Sequence, residues 1–188
     1  MKRRFYLAAL AACLLLAACG KASQPPPRPE EPAPPEERRE EEAPSLGSLT
    51  VELVASWEEA DRLLESLDQL SGLLGEALAE QGCVLDEVRV TLSTAGGVTA
   101  DALAEGGVDA AWLPAEDFSA CGDKAQAVLA QETGGGVAAV TAAREELDGE
   151  FQALLVRAVL DTEPGQAFLQ LYCPGGTYAP AEGTGYGE

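Results

Sequence analysis

The chain has no histidine and one methionine among its 188 residues, and only 5% of it is aromatic. Its five cysteines never occur as Cys-x-x-Cys, so the close Cys/His spacing of zinc sites is missing. There is no Walker or GxGxxG glycine loop, the serines lack a nucleophile-elbow context, and no carboxylate pair stands out by its spacing. Residues 134–136 (Gly-Gly-Gly) predict only a turn. We therefore expect no enzyme activity, no catalytic residue, no metal and no cofactor.

Basic residues are also scarce. The chain holds 12 lysines and arginines against 32 acidic residues. All 32 acidic residues but only nine basic ones follow Cys19, which leaves a side-chain charge of −23 after that point. Such a surface repels nucleic acid and anionic lipid headgroups, so we expect neither as a partner. It also gives no long-range attraction for a phosphate-like anion.

The N-terminus predicts export. Residues 2–4 are Lys-Arg-Arg, and residues 5–18 form an apolar stretch too short to span a bilayer, which takes about 20 residues. A basic segment followed by a short apolar one is typical of a secretory signal. Residues 16–20 (Leu-Ala-Ala-Cys-Gly) resemble the lipobox cut by the lipoprotein signal peptidase. We expect residues 1–18 to be a signal peptide and Cys19 to carry diacylglycerol.

A second copy of the motif, Leu-Ala-Ala-Cys, ends at Cys13 and remains an alternative cleavage site. Cutting there would leave a signal with only a very short apolar segment. Acylation at Cys19 would hold the protein on the cell membrane, on its extracytoplasmic face.

Residues 19–46 are predicted to form a tether. Eight of the chain's 12 prolines lie in residues 20–46, together with a Glu/Arg run at residues 36–42. This composition buries little apolar surface and favours disorder or polyproline II structure. A disordered, lipidated spacer is therefore expected before a single domain at residues 47–188.

Three cysteines fall in this domain: Cys83, Cys121 and Cys173. Export permits a disulfide, but an odd number leaves at least one thiol unpaired in a monomer. Three single pairings are open, and the one we favour is Cys121–Cys173.

The domain alternates strand and helix patterns. A strand over residues 49–55 precedes Ser56, which with Glu59 predicts a capping box and one long leucine-rich helix ending at Gly82. The further elements are strands at residues 87–92, 108–113, 125–130 and 137–142, and helices at residues 99–105, 115–121 and about 163–171. Another helix is predicted where Phe151, Leu154, Leu155, Ala158 and Val159 fall on one face. This order predicts a parallel or mixed sheet with helices on both faces, and ligands then lie beyond the C-terminal strand ends.

Residues 102–118 (ending Val-Asp-Ala-Ala-Trp-Leu-Pro-Ala-Glu-Asp-Phe) resemble the phosphate/phosphite/phosphonate-type substrate-binding proteins of ABC importers. Residues 144–169 and a glycine-rich tail with Tyr178 and Tyr186 are similar as well. The resemblance implies an α/β fold, one lobe of a type 2 periplasmic-binding-protein fold with a mixed, mostly parallel sheet. The second lobe, which the family inserts near residues 130–136, is replaced here by a short turn.

Six residues at the predicted strand ends are candidate ligand-binding positions: Ser56, Trp57, Ser93, Thr94, Pro114 and Phe118. The resemblance implies ligand contact for the first and third strand ends. Trp57 has the alternative of packing over the helix start, and Ser93 and Thr94 that of forming a turn. The missing lobe is the one from which the family supplies a Ser/Thr-rich loop and a histidine to phosphoryl oxygens.

Three other side chains have simpler interpretations. Trp112 lies within a strand and is expected in the core, and Asp109 is expected to cap a turn or to pair with Arg89. Glu116 and Asp117 would repel an anion but suit a cationic ligand.

The resemblance thus implies a lipid-anchored substrate-binding protein of an ABC importer, with the permease and a small oxyanion or other small ligand as partners. The alternative is a surface lipoprotein that has lost small-molecule capture and binds a protein instead.

Overall fold

The computed structural model describes residues 47–133 and 136–182. The predicted signal peptide (1–18), Cys19 and the tether (19–46) lie outside the described residues, and so does Tyr186 in the tail.

The described part is an α/β domain whose strands and helices alternate in its first half. In chain order the elements are β1 (Ser48–Val54), α1 (Trp57–Leu64), α2 (Leu67–Glu80), β2 (Glu87–Ser93), α3 (Gly96–Ala104), β3 (Ala110–Pro114), α4 (Ala115–Phe118), a 3₁₀ turn (Ser119–Cys121), β4 (Ala125–Thr133), β5 (Gly136–Arg144), α5 (Gly149–Asp161), α6 (Glu163–Tyr172) and β6 (Thr177–Pro180).

The six strands form one mixed sheet in the order β2-β1-β3-β5-β4-β6. Strand β1 runs parallel to both β2 and β3, while β5, β4 and β6 join through antiparallel pairings. The predicted α/β class with a mixed sheet is confirmed. Parallel pairing is confined to the β2-β1-β3 part. The two predicted strands around the glycine turn form an antiparallel hairpin, and β6, which the sequence pattern did not reveal, pairs antiparallel with β4.

Helices cover both faces of the sheet, as predicted. On one face, leucines of α1 and α2 and aromatic residues of α5 and α6 pack on alternate residues of the strands, among them Leu49, Val51 and Leu53. On the other face, α3 and the 3₁₀ turn pack on Ala111 and Leu113 of β3.

The helix predicted over residues 56–82 is in fact two helices with a break at Ser66. The Ser66 hydroxyl donates to the carbonyl of Arg62 at 3.1 Å, and its backbone N–H donates to the carbonyl of Leu63, three residues back, at 2.9 Å. The second of these bonds spans three residues and is of the 3₁₀ type, which tightens the chain at the end of α1. Leu63 is buried, whereas Leu64, the last residue of α1, is 56% exposed.

Strands β4 and β5 pair as an antiparallel hairpin, with Thr133 opposite Gly136. This hairpin stands at the point where the proteins that the sequence resembles insert a second lobe. The described residues therefore form a single lobe, and the glycine-rich segment joins two neighbouring strands.

The predicted disulfide between Cys121 and Cys173 is wrong. Cys121 is buried on the α3 side of the sheet, where its Sγ lies 3.8 Å from the carbonyl of Ala100. Cys173 follows α6 and packs against the core on the opposite face, and its Sγ accepts a hydrogen bond from Gln131 Nε2 at 3.2 Å. Both thiols are free because the sheet separates them.

Candidate functional site

The C-terminal ends of β1, β2 and β3 lie side by side. Val54 pairs with Ser93 across β1 and β2, and Leu53 pairs with Trp112 across β1 and β3. The backbone N–H of Ala55 extends this ladder by donating to the carbonyl of Ser93 at 3.0 Å. Parallel strands end at one edge of a sheet, which we call the strand-end edge. It carries all six predicted ligand-binding residues: Ser56, Trp57, Ser93, Thr94, Pro114 and Phe118.

At the first strand end, Ser56 caps α1 as predicted. The Glu59 carboxylate accepts from the Ser56 backbone N–H at 3.3 Å and from the Ser56 hydroxyl at 2.7 Å. The Ser56 side chain in turn accepts from the Glu59 backbone N–H, which completes a capping box. Trp57, the first residue of α1, is 80% exposed. It therefore does not pack over the helix start but presents its ring to the surroundings.

At the second strand end, Ser93 forms the turn into α3. Its hydroxyl accepts from the backbone N–H of Ala95 at 3.2 Å and donates to the Ala95 carbonyl at 3.3 Å. Thr94 is half-buried in the bend between β2 and α3. Both hydrogen bonds of the Ser93 hydroxyl are thus made within the turn, as the turn-forming alternative predicts.

At the third strand end, Pro114 closes β3 and Phe118 packs partly buried between two small core clusters. Asp117, one residue earlier, lies against Gly96 at the start of α3. A Cβ built on Gly96 would lie 2.7 Å from the Asp117 Cγ, so the carboxylate occupies the space of a side chain there. A helix N-terminus attracts negative charge, and here the charge comes from the chain's own aspartate.

A second carboxylate lies beneath α3. The hydroxyl of Thr99, which is fully buried, donates to Glu52 Oε2 at 2.6 Å. Glu52 belongs to β1, and its even-numbered position places it on the α3 side of the sheet. Glu52 and Asp117 thus give the α3 side of the strand-end edge an acidic character.

The helix α6 reaches the same edge through contacts that the sequence pattern did not reveal. The Tyr172 hydroxyl donates to the carbonyl of Val54, the last residue of β1, at 2.8 Å. The Arg62 guanidinium donates to the carbonyls of Leu171 and Tyr172 at 2.6 and 3.1 Å. Burial raises the pKa of Tyr172, and the neighbouring Cys173 and Glu59 raise it further. The Tyr172 hydroxyl therefore stays protonated. The guanidinium of Arg62 is hydrogen-bonded to the C-terminal end of α6.

Trp112 and Asp109 have structural roles away from the strand-end edge. Trp112 is fully buried and its ring centroid lies 5.1 Å from that of Phe168, which confirms a core role. Asp109 does not pair with Arg89. It binds Arg144 at 2.7 Å and accepts from the backbone N–H of Thr50 at 2.8 Å, because β5 ends beside the start of β3.

Among residues 47–133 and 136–182, no three His, Cys, Asp or Glu side chains are grouped so as to hold a metal ion. In the same part of the chain, no helix is both long and apolar enough to span a membrane.

Neither a protein-family model nor a curated protein matches the chain. Among solved structures it is similar to XAC2383 from Xanthomonas citri, bound to chloride ion in one structure (TM-score 0.57) and to ATP in another (TM-score 0.55). In both cases the identity is 10%, and the alignment covers 74% of this chain and 93% of that chain. At this identity the likeness shows a shared α/β fold.

Proposed function

We propose that this protein is a lipid-anchored binding protein of the ABC-importer type, reduced to one lobe, whose ligand site is the strand-end edge. The observation that carries the proposal is the register of β1, β2 and β3, which aligns their C-terminal ends. In open α/β sheets ligands bind at this position. Among the candidate residues, Trp57 offers a large aromatic ring for contact because it is 80% exposed.

The size of the lobe is compatible with ligand binding. XAC2383 is bound to chloride ion and to ATP, and 93% of that chain is covered by part of this one. A protein of this fold and of comparable size therefore takes up small ligands without a large additional lobe.

The charges at the strand-end edge favour a positively charged small ligand over an oxyanion. Asp117 occupies the N-terminus of α3, where an oxyanion would bind, and Glu52 lies nearby on the same side of the sheet. The guanidinium of Arg62 is engaged with α6. An exposed indole such as that of Trp57 attracts cations through its π face. Carboxylates and an indole together suit an organic ammonium group.

Isothermal titration of the full-length protein tests this ligand class. Choline and putrescine should release or absorb heat at millimolar concentration or below, whereas inorganic phosphate and methylphosphonate should not. Trp57→Ala should weaken cation binding about fivefold, the equivalent of about 1 kcal/mol for a cation–π contact. Trp57→Phe keeps an aromatic ring and should retain most of the affinity. Heat from phosphate, unchanged in Trp57→Ala, would count against the proposal.

The lipid anchor is tested separately. Cells fed an alkyne-tagged fatty acid should label the wild-type protein, and Cys19→Ser should abolish the label. Cys13→Ser is the matched control, because it removes the other motif cysteine and should leave labelling intact. Loss of label in Cys13→Ser alone would move the anchor to the alternative site.

A second candidate function is a surface module that binds a protein at the same edge. It is favoured by the exposure of Leu64 (56%) as well as Trp57, because residues seven apart lie on one face of α1. A photo-crosslinking amino acid at position 57 should then yield one discrete protein adduct in cells, and one at exposed Lys124 should not. That result, together with no heat from small cations, would favour this function over the first.

A further inference from the structure

A groove lies between α2 and the edge strand β2, at the end of β2 opposite to the strand-end edge. Its volume is about 390 Å³, and residues of α2 and of the segment leading into β2 line it. Because it is remote from the predicted ligand-binding residues, a role for it goes beyond the function proposed above.

One wall of the groove is the open edge of the sheet. β2 is the end strand in the sheet order and pairs with β1 alone among the strands at residues 47–133 and 136–182. The Ser93 carbonyl bonds toward β1, whereas the Val90 N–H points away from it and donates to Ser71 Oγ at 3.1 Å. Main-chain groups alternate in direction along a strand. The N–H and C=O of Val88, two residues before Val90, therefore face the groove.

The other wall is a small-residue face of α2. A Cβ on Gly75 would contact Val88 Cγ2 at 3.6 Å, so the helix lies close to the strand there. One turn earlier, a Cβ on Gly72 would meet nothing within 4 Å, which leaves space for an incoming side chain. Val84, at the same groove, is 79% exposed although it is apolar. Ser71 closes the groove on its far side, because its hydroxyl already accepts the hydrogen bond of the next outward N–H, that of Val90.

The rim of the groove is acidic. Glu76 of α2, Asp86 just before β2 and Glu87, the first residue of β2, are exposed. Arg89 pairs with Glu87 at 2.9 Å, and this surface pair is mostly solvent-exposed. A cationic segment thus complements the rim, whereas a second copy of this acidic chain would be repelled.

We propose that this groove is a docking site for an extended, basic segment of a partner protein, which adds alongside β2. The segment would bond to the N–H and C=O of Val88, seat an apolar side chain between Gly72 and Val84, and place flanking Lys or Arg residues at Glu76 and Asp86. Addition of a strand to an exposed sheet edge gives affinity through the main chain and selectivity through the side-chain pocket.

The test is a titration of the ¹⁵N-labelled full-length protein, followed by two-dimensional NMR. The probe is the peptide acetyl-Lys-Val-Arg-Val-Lys-amide, and the comparison is acetyl-Glu-Val-Asp-Val-Glu-amide. The basic peptide should shift the amide signals of residues 72–79 and 84–90, and the acidic peptide should not. No shifts at millimolar basic peptide, or equal shifts with both peptides, would overturn the proposal.

Two variants make the test specific. Gly72→Leu fills the open space and should weaken peptide binding at least tenfold, whereas Gly97→Leu, at another exposed helical glycine with nothing within 4 Å, should not change it. Val88→Pro removes one outward N–H that the peptide would use, so it should also weaken binding. The variant should still fold, because proline is tolerated on an open sheet edge. Unchanged binding in Gly72→Leu would overturn the proposal even if Val88→Pro did not fold. Cation binding at the strand-end edge should persist in Gly72→Leu, so the two proposals fail separately.

Discussion

The carboxylate of Asp117 packs against Gly96, the first residue of α3, in the position where a Cβ would otherwise lie. Any side chain at position 96 would displace it. In this way the chain supplies its own negative charge to the N-terminus of α3, a position that attracts anions. The contact between Asp117 and Gly96 therefore disfavours an anionic ligand at the start of α3.

Replacing Asp117 by serine should open the start of α3 to an anion. The wild-type protein should bind phosphate negligibly, and Asp117→Ser should gain up to about fivefold in affinity, since a charge at a helix N-terminus contributes about 0.3–1 kcal/mol. Titration calorimetry at low salt measures this. Glu116→Ser is the control, because Glu116 is exposed and has no such contact with Gly96. An equal gain in both variants would indicate a general charge effect instead.

Removing the Tyr172 hydroxyl should loosen the junction between α6 and β1. Tyr172→Phe leaves the Val54 carbonyl without its partner and should lower the free energy of unfolding by about 1 kcal/mol. Tyr178→Phe should change it less, because the buried Tyr178 hydroxyl faces the Cys173 thiol, which is a weak hydrogen-bonding group. Urea denaturation of both variants gives the comparison. A smaller loss in Tyr172→Phe than in Tyr178→Phe would contradict this account of the junction.

Gly165 permits the close crossing of α5 and α6. A Cβ there would lie 2.7 Å from Val159 Cα and against the Ala158 carbonyl, and these are main-chain atoms that cannot rotate away. Gly165→Ala should therefore destabilise the fold by about 1–3 kcal/mol. At Gly149, where a Cβ would meet nothing within 4 Å, the same substitution should be neutral or slightly stabilising. Thermal unfolding of the pair measures the difference, and equal melting temperatures would refute the close crossing.

Cys121 and Cys173 should react with a thiol reagent at different rates, because they differ in burial. Burial raises the pKa of the Cys121 thiol, so at pH 8 it is largely protonated and should react with a thiol reagent only when the domain opens. Cys173 is half-buried and should react first. Labelling followed by mass spectrometry gives the order. A disulfide-linked pair of peptides containing Cys121 and Cys173, recovered without reducing agent, would contradict the free thiols of the structure.

Much of the fold follows from residue periodicity. The strand and helix patterns from β1 to β3, the Ser56 cap and the buried face of α5 were predicted because each depends on local spacing. The break at Ser66 was missed because the leucines on both sides keep helical spacing, and only the tighter backbone bond from Ser66 to Leu63 marks it. Strand β6 was missed because a four-residue segment among glycines becomes a strand only by pairing with β4.

The candidate site was predicted in outline but not in its contacts. The strand ends placed Ser56, Ser93 and Pro114 at one edge, since parallel strands end together. The contact of Asp117 with Gly96 joins residues 21 positions apart, and that of Tyr172 with Val54 joins residues 118 apart. Neither contact produces a periodic pattern in the sequence, so both become visible only in the folded structure.

The most direct test of the central claim is a calorimetric comparison of choline with phosphate on the wild-type protein and on Trp57→Ala. The account predicts measurable choline binding that falls about fivefold in Trp57→Ala, with no heat from phosphate in either protein. Phosphate binding of equal strength in both, without any choline signal, would contradict it.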